Sequence, residues 1–415
     1  MPAVLVLGSH EPNTLAQLAD VARRAERVAL MADGHLGYIM PVGGVAAYRH
    51  RVSVAGVGFD IACGNCAVRT DLVAGDLPRE RLELLADRIQ REISFGIGRT
   101  NDANDAPDDH PLFEDAAWSA VPAGLPERER LRQLARDQLG TVGSGNHYVD
   151  LFADEEERVW VGVHFGSRGF GHTVASGFMA IGKGRSWGER VPETEALFDL
   201  ASDAGERYWR LMELAGRYAY AGREWVCRKV AAQIVGGEIV ETVHNHHNFA
   251  WRERHFGEEL IVVRKGATPA FPGQPGFVGA SMTGTSVILC GVGETGGAAD
   301  AQRAAMYSTV HGAGRVMSRS EAAGRRHRFG PRAGTLVRGA DGKAVRPGKV
   351  SDEMLRTAVR ESGVVLRGAG PDESPFAYRR LDEVLAQQPG IEILHRLRPL
   401  AVVMAGADEL DPYKD

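Results

Sequence analysis

A carboxylate and a thiol three residues apart, Asp60 and Cys63, lie in the apolar stretch Val57-Gly58-Phe59-Asp60-Ile61-Ala62-Cys63-Gly64-Asn65. An oxygen and a sulfur at that spacing grip one divalent ion, or bridge two, when a tight turn aims both inward. Two ligands do not complete a site. The histidines that could complete it are scattered: His147 after Asn146, His164, His247 before Asn248, and His311. Each alone reads more simply as a hydrogen-bonded core histidine. Taken together they constrain the fold, because pieces spread from position 60 to position 311 must converge. That favours one integrated domain over a string of modules. No Pro/Ser-rich linker, internal repeat or low-complexity tract divides the chain. Mixed N, O and S ligands suit Mn²⁺, Zn²⁺ or Fe²⁺ better than Mg²⁺.

With 44% apolar and 25% charged residues, the composition is that of a soluble globular protein, and 415 residues suffice for one large core. No apolar run is long enough to span a membrane, and no basic region precedes the short apolar N-terminus. Four cysteines in a chain of this length argue for a reducing compartment, so a cytoplasmic location is expected. A net charge of −5 lacks the global signature of a nucleic-acid-coating protein. The charge is uneven, however. Between 315 and 349, ten Arg and Lys against Glu321 and Asp341 leave a local excess of +8. A solvated surface loop is the simpler reading. Its start four residues after His311 favours a phosphate-tracking patch.

Periodicity predicts helices over 15–30, 77–93, 126–139, 353–361 and 378–388, with two or three more within 193–235. Gly205, Gly216 and Gly222 would mark breaks or close crossings there. The region after 300 begins as a helix and is interrupted by Gly312 and Gly314. Strands are expected over 159–163, 238–243, 259–264, 286–291 and 391–404. The glycine-punctuated segment 31–45, which contains Asp33 and His35, suits buried loops and short strands beside a site. Segment 101–111 reads as a surface loop, and 165–172 as an anion-binding turn. The expected fold is α+β: one large domain of mixed β-sheets, flanked by helices, around a central metal cleft. Residues 1–404 would form the domain and 405–415 a tail.

Two constellations admit more than one chemistry. Cys63-Gly64-Asn65-Cys66 is formally a Cys-x-x-Cys, but a redox pair lacks its strand–turn–helix context and leaves Asp60 unexplained. A structural zinc site would want a second pair, and Cys227 and Cys290 are isolated, so Cys66 reads as a packed thiol. In His311-Gly312-Ala313-Gly314-Arg315, small residues would let a phosphate approach the backbone, with Arg315 and Arg319 to hold it. That suits a histidine nucleophile on phosphorus; a structural turn is the even-odds alternative.

The motifs resemble those of the RtcB-type RNA ligases over nearly the whole chain, from about Met31 to Met404. They are Gly58-Phe59-Asp60-Ile61-Ala62-Cys63-Gly64, Gly145-Asn146-His147-Tyr148-Val149-Asp150, Val163-His164-Phe165-Gly166-Ser167-Arg168, His247-Asn248-Phe249-Ala250, Arg264-Lys265-Gly266-Ala267-Thr268, His311-Gly312-Ala313-Gly314-Arg315 and Ala377-Tyr378. The resemblance implies a GTP-dependent ligase that joins an RNA 3′-phosphate or 2′,3′-cyclic phosphate to a 5′-hydroxyl, in tRNA splicing or RNA repair. It also implies two Mn²⁺ ions bridged by Cys63, with Asp60 and His147 on one and His164 and His247 on the other. His311 would take GMP. Asn146, Asp150, Ser281, Ser286, Gly312, Ala313, Gly314 and Tyr378 would contact the nucleotide. Arg168, Lys265, Arg315 and Arg319 would lie near phosphates or RNA. Archease, which activates members of this family, is the implied protein partner. A metal-dependent phosphohydrolase, or an RNA-end-binding protein without turnover, are the rival readings. No Lys-x-Asp-Gly marks a lysine-nucleophile ligase. The family's Pro-Asp reads Ala32-Asp33 here, its Glu after Gly-Asn-His becomes Asp150, and Met404 stands where a guanine-contacting lysine usually does. Lys414 is the candidate replacement.

Overall fold

The computed structural model describes residues 3–327, 335–339, 342 and 344–406. It is an α+β domain built on two large sheets. The larger has the strand order Pro275–Val278, Ser286–Gly291, Ile391–Gly406, Tyr148–Ala153, Arg158–Phe165, Gly64–Val73, Ile239–His246, antiparallel throughout. Val365–Ala369 adds to it, parallel to the long strand Ile391–Gly406. The smaller sheet runs Ala3–Val6, Arg27–His35, Val42–Tyr48, Glu258–Lys265, Asn248–His255. The chain passes from one sheet to the other at a single residue, His247, between Ile239–His246 and Asn248–His255. That crossing sets the position of the site.

The smaller sheet packs on a helical layer, with Tyr48, Ile261 and Val263 in one apolar cluster with Phe170, Phe178, Tyr208, Leu211 and Met212. The backbone of that layer is the helix Asp203–Arg228. Ser202 accepts a hydrogen bond from the Gly205 N–H at its start, and Asp203 and Glu206 favour its positive end. It continues without a break as a π-helix over Lys229–Val235. The glycines within it are crossings. A Cβ on Gly216 would lie 2.9 Å from the Phe249 ring.

Several expected boundaries move. The helix expected over 15–30 spans only Pro12–Ala22, and the rest is the strand Arg27–His35. Val28 to Ala32 is a continuous apolar run buried on both faces, a pattern that helix and strand share. Within 193–235 one long helix replaces two or three, and Leu197–Asp199 is a strand. The helix expected over 378–388 shrinks to Leu381–Leu385. The expected anion-binding turn at 165–172 is the start of the helix Arg168–Gly182. No helix among the described residues is long and apolar enough to cross a membrane.

Candidate metal centre

Asp60 and Cys63 occupy the turn between the short helix Val54–Val57 and the strand Gly64–Val73. The turn closes with the Cys63 N–H donating to the Asp60 carbonyl at 3.1 Å, and places Ala62 at φ 59°. The Ala62 N–H donates to the Asn248 carbonyl and the His247 N–H to the Cys63 carbonyl, so turn and crossing hold each other. His147 directly precedes Tyr148–Ala153, and His164 lies on the neighbouring Arg158–Phe165. Asp60 needs Gly166, where a Cβ would fall 2.2 Å from its Oδ1.

The five side chains converge. Cys63 Sγ lies 3.3 Å from His164 Nε2 and 3.7 Å from His147 Nε2, and His147 Nε2 is 3.1 Å from Asp60 Oδ2. His164 Nε2 and His247 Nε2 are 3.3 Å apart. Donor atoms about 2.0–2.3 Å from one tetrahedral ion stand about 3.3–3.8 Å from each other. They form two sets that share Cys63: Asp60, Cys63 and His147, and Cys63, His164 and His247. The tautomers fit. His147 Nδ1 faces the Val142 carbonyl and His164 Nδ1 the Asn146 carbonyl, each at 2.9 Å, which puts the lone pair of each ring on Nε2, toward the cluster. Burial holds the His164 and His247 imidazoles well below their ordinary value, hence neutral. The residues present suit a borderline divalent ion, or two sharing the sulfur.

His311 follows the strand Ser308–Val310, its ring 5.0 Å from that of His247. Asp33, buried in the smaller sheet, receives the His311 Nδ1 at 2.6 Å and the His311 backbone N–H at 2.9 Å on one oxygen, Oδ2. A bond at Nδ1 turns Nε2 outward as the free nitrogen. His35, two residues on, stacks 6.5 Å from the same ring. Neither Asp33 nor His35 is assigned a role from sequence, although their glycine-rich segment was placed beside a site. Gly314 packs closely against Asp33. At φ 72°, its Cβ would fall 2.4 Å from the Asp33 carbonyl. Gly312 lies against Gly279, and Ala313 is buried in the core behind the smaller sheet.

The other candidates divide. Asp150 and Tyr148 share a face of their strand by its two-residue alternation. Burial pushes the Asp150 carboxyl well above its ordinary value, and its Oδ1 meets no protein partner, an acceptor left for a ligand donor. Met404 is 5% exposed and registers opposite Tyr148 in an apolar cluster with Met282 and Phe277. Asn146 precedes His147, and Ser281 lies in the turn before Ser286–Gly291. Ser286 Oγ accepts from the Ala280 N–H at 2.9 Å, closing that turn. Arg168 lies 3.2 Å from His147 Nδ1. Lys265 is buried beneath the Tyr38 ring, donating to the Tyr38 and Ala55 carbonyls, and burial lowers its amine to about 7. Lys414 and the tail beyond 406 lie outside the described residues.

The first two arginines after His311 are already matched by acid, while Arg325, Arg338 and Arg346 farther on are exposed. Arg315 donates to Glu373 at 3.1 Å and to the Tyr378 hydroxyl at 2.8 Å; Arg319 pairs with Glu373 and Tyr378 donates to it. Burial alone would raise the Glu373 carboxyl, but Arg319 and Arg315 outweigh it and hold it below its ordinary value. Farther along the basic run, Lys349 pairs with Glu321, while Arg328, Arg332 and Lys343 lie outside the described residues.

Behind the Asp60–Cys63 turn stands a residue with no sequence signal, the fully buried Arg223 of the long helix. It donates to the Ala62 carbonyl at 2.9 Å, the Phe165 carbonyl at 2.5 Å, His244 Nε2 at 2.8 Å and His246 Nδ1 at 2.9 Å. Burial and Arg223 hold both histidines below their ordinary values, as neutral acceptors.

A thiol common to two donor clusters thus lies beside a histidine anchored by a carboxylate. A family model described as tRNA-splicing ligase RtcB matches residues 14–405. The RNA-splicing ligase RtcB of Escherichia coli is 30% identical over 420 residues, covering 95% of this chain and 94% of its own. The tRNA-splicing ligases RtcB of Pyrobaculum aerophilum and Thermococcus kodakarensis are 33% and 31% identical, covering 90% and 94% of this chain and 87% and 91% of their own. With a family model spanning nearly its full length and relatives matched from end to end, the chain belongs to the tRNA-splicing ligase RtcB family.

Proposed function

We propose that this RNA ligase joins a 3′-phosphate or 2′,3′-cyclic phosphate end to a 5′-hydroxyl end, using GTP and two Mn²⁺ ions through a GMP adduct on His311. The observation that carries the reading is the placement of His311. Asp33 fixes its Nδ1, and its ring stands 5.0 Å from His247 of the donor cluster. A nucleophile and a metal-binding set then act on one phosphate.

Asp60 and His147 would hold one ion and His164 and His247 the other, with Cys63 shared. When bound, the ions supply neutralisation of phosphate charge. The protein does the rest. Asp33 accepts the Nδ1 proton bond, so the Nε2 lone pair attacks the α-phosphorus, and the bond to pyrophosphate breaks with its electron pair leaving on pyrophosphate. An oxygen of the RNA 3′-phosphate then displaces His311 from phosphorus, returning the pair to Nε2. The 5′-hydroxyl oxygen, losing its proton to solvent, attacks the activated 3′-phosphate, and GMP departs with the electron pair of the broken P–O bond; a 2′,3′-cyclic end is first opened by water to the 3′-phosphate. Asp150, with its unpartnered buried oxygen, fits a donor edge such as that of guanine. Asn146, Ser281, Ser286, Gly312, Ala313, Gly314 and Tyr378 complete the proposed nucleotide site, with Arg168, Lys265, Arg315 and Arg319 around it, and archease as activator.

Incubation with Mn²⁺ and GTP labelled at the α-phosphate tests this. Label on the polypeptide that is acid-labile, base-stable, absent from His311→Ala and discharged by 3′-phosphate RNA is expected. RNA or nucleotide hydrolysis without protein label would instead make the centre a phosphohydrolase.

A further inference from the structure

The strand Val365–Ala369 is an edge of the larger sheet, paired on one side only among the described residues. The helix Asp352–Ser362 precedes it, and between them runs a groove of about 550 Å³. Its charged lining is Arg79, Arg356, Arg360 and Arg367 against Asp352. Arg79 is countered by Glu83, and Arg367 by Asp87. Arg356 and Arg360, one helical turn apart and both exposed, are in no ion pair among the described residues. In the run where basic character was expected, Arg315, Arg319 and Lys349 are each matched by a carboxylate, while Arg325, Arg338 and Arg346 are exposed.

The groove leads to the centre. Arg79 donates to the Gly363 carbonyl at its far end. At its near end a Cβ on Gly368 would lie 2.1 Å from the Met404 carbonyl, and five residues farther on is Glu373, which holds Arg315 and Arg319. Across the sheet, Arg367 registers with Val403, and Val403 with Val149, two residues from His147. Two strand spacings put that end roughly 10 Å from the start of the strand that follows His147.

We propose that this groove carries the phosphate backbone of the RNA leading away from the join. The inference rests on the ligase reading for the identity of its ligand. Guanidinium groups without counter-carboxylates, set in a cleft rather than on a flat face, pair phosphates bidentately and release condensed counterions. The edge strand adds free backbone groups along the same line. A tract of this kind reads length and charge, not sequence.

The test is Arg356→Glu combined with Arg360→Glu, beside Arg356→Lys combined with Arg360→Lys, in the full chain. Protein labelling by GTP, which involves no RNA, reports whether the fold and centre survive. With RNA ends of increasing length, the charge-reversed protein should join very short ends as wild type does and lose at least tenfold in kcat/KM on long ones at low salt. The lysine pair should restore most of it. In direct RNA binding, Arg356→Ala with Arg360→Ala should flatten the dependence of log K on log salt by about 1.4, two phosphate contacts at ~0.7 each. An unchanged salt slope with unchanged joining at every length overturns the proposal, and would leave the groove to an acidic protein partner. If wild type joins no RNA at all, the ligase reading fails instead, and the salt slope still decides whether the groove holds RNA.

Discussion

Arg223 makes a prediction that separates support of the metal turn from the turn itself. Arg223→Met keeps most of the length and apolar stem but removes every donor. Two buried carbonyls, of Ala62 and Phe165, then lose the guanidinium they share. Each orphaned buried acceptor costs about 1–3 kcal/mol, so the pair costs roughly 2–6 kcal/mol. That is a large fraction of the ~5–15 kcal/mol by which a domain is stable. His244 and His246 lose a donor as well. Ala62 already sits at positive φ next to Cys63, so a slackened Ala62 carbonyl lets the strained turn relax and moves the thiol. Denaturant midpoints at constant slope would give the stability change, and titration with Mn²⁺ or Co²⁺ the binding change. We expect both to fall, with divalent-ion affinity down at least tenfold. Arg223→Lys should recover one carbonyl and part of the loss. A variant within about 0.5 kcal/mol of wild type, with unchanged ion affinity, would refute the argument.

Cys63→Ser should abolish protein guanylylation and ion binding, since both donor sets share that sulfur. Cys66→Ser should leave labelling intact yet cost about 1–3 kcal/mol, because a hydroxyl replaces a fully buried thiol in the core; equal loss of labelling from both would point back to a redox or zinc pair. Burial lowers the Lys265 amine to about 7, well under its unfolded value, so the unfolded chain binds the extra proton between about pH 7 and 10. Stability relative to Lys265→Met should therefore rise with pH across that window, read as urea midpoints at both ends, and a flat difference would place the amine in water. Met404→Lys should raise discrimination for GTP over ATP in histidine labelling by about ten- to a hundredfold, the worth of one charged hydrogen bond to the purine, and no change would mean guanine is read elsewhere.

Two strands near the site, Ser286–Gly291 and Arg158–Phe165, were legible because glycine or a polar turn brackets each one. Others were not, Gly64–Val73 and Tyr148–Ala153 among them, and two more show why. The run after Arg27 is apolar at every position to Ala32, and such a run lacks the alternation that separates strand from helix. The strand Asn248–His255 went unnoticed because Arg252, Glu253 and Arg254 break its apolar pattern, and Glu253 is charged yet buried. Its reason is tertiary: Arg264 on the paired strand reaches it with both guanidinium nitrogens, at 2.7 and 2.9 Å. A local pattern cannot anticipate a counter-charge that arrives across the sheet.

The same limit divides the site. Metal donors announce themselves, because few residue types bind a borderline ion and each carries that chemistry wherever it stands. What a side chain does next depends on its partner, and partners here are remote in sequence. Asp33 is 278 residues from the histidine it orients, and Glu373 is 58 and 54 residues from Arg315 and Arg319. Read as a run of cations, the segment after His311 is a phosphate patch. Folded, its first two arginines are held against a buried carboxylate, and a phosphate that reached them would have to displace Glu373 or share it. Arg356 and Arg360 carry no such pairing, on a helix whose sequence also carries Asp352, Glu353 and Glu361 and so reads as slightly acidic. Charge available to a polyanion is formal charge less what the fold has already paired. At the edge strand that leaves two exposed guanidiniums facing one groove.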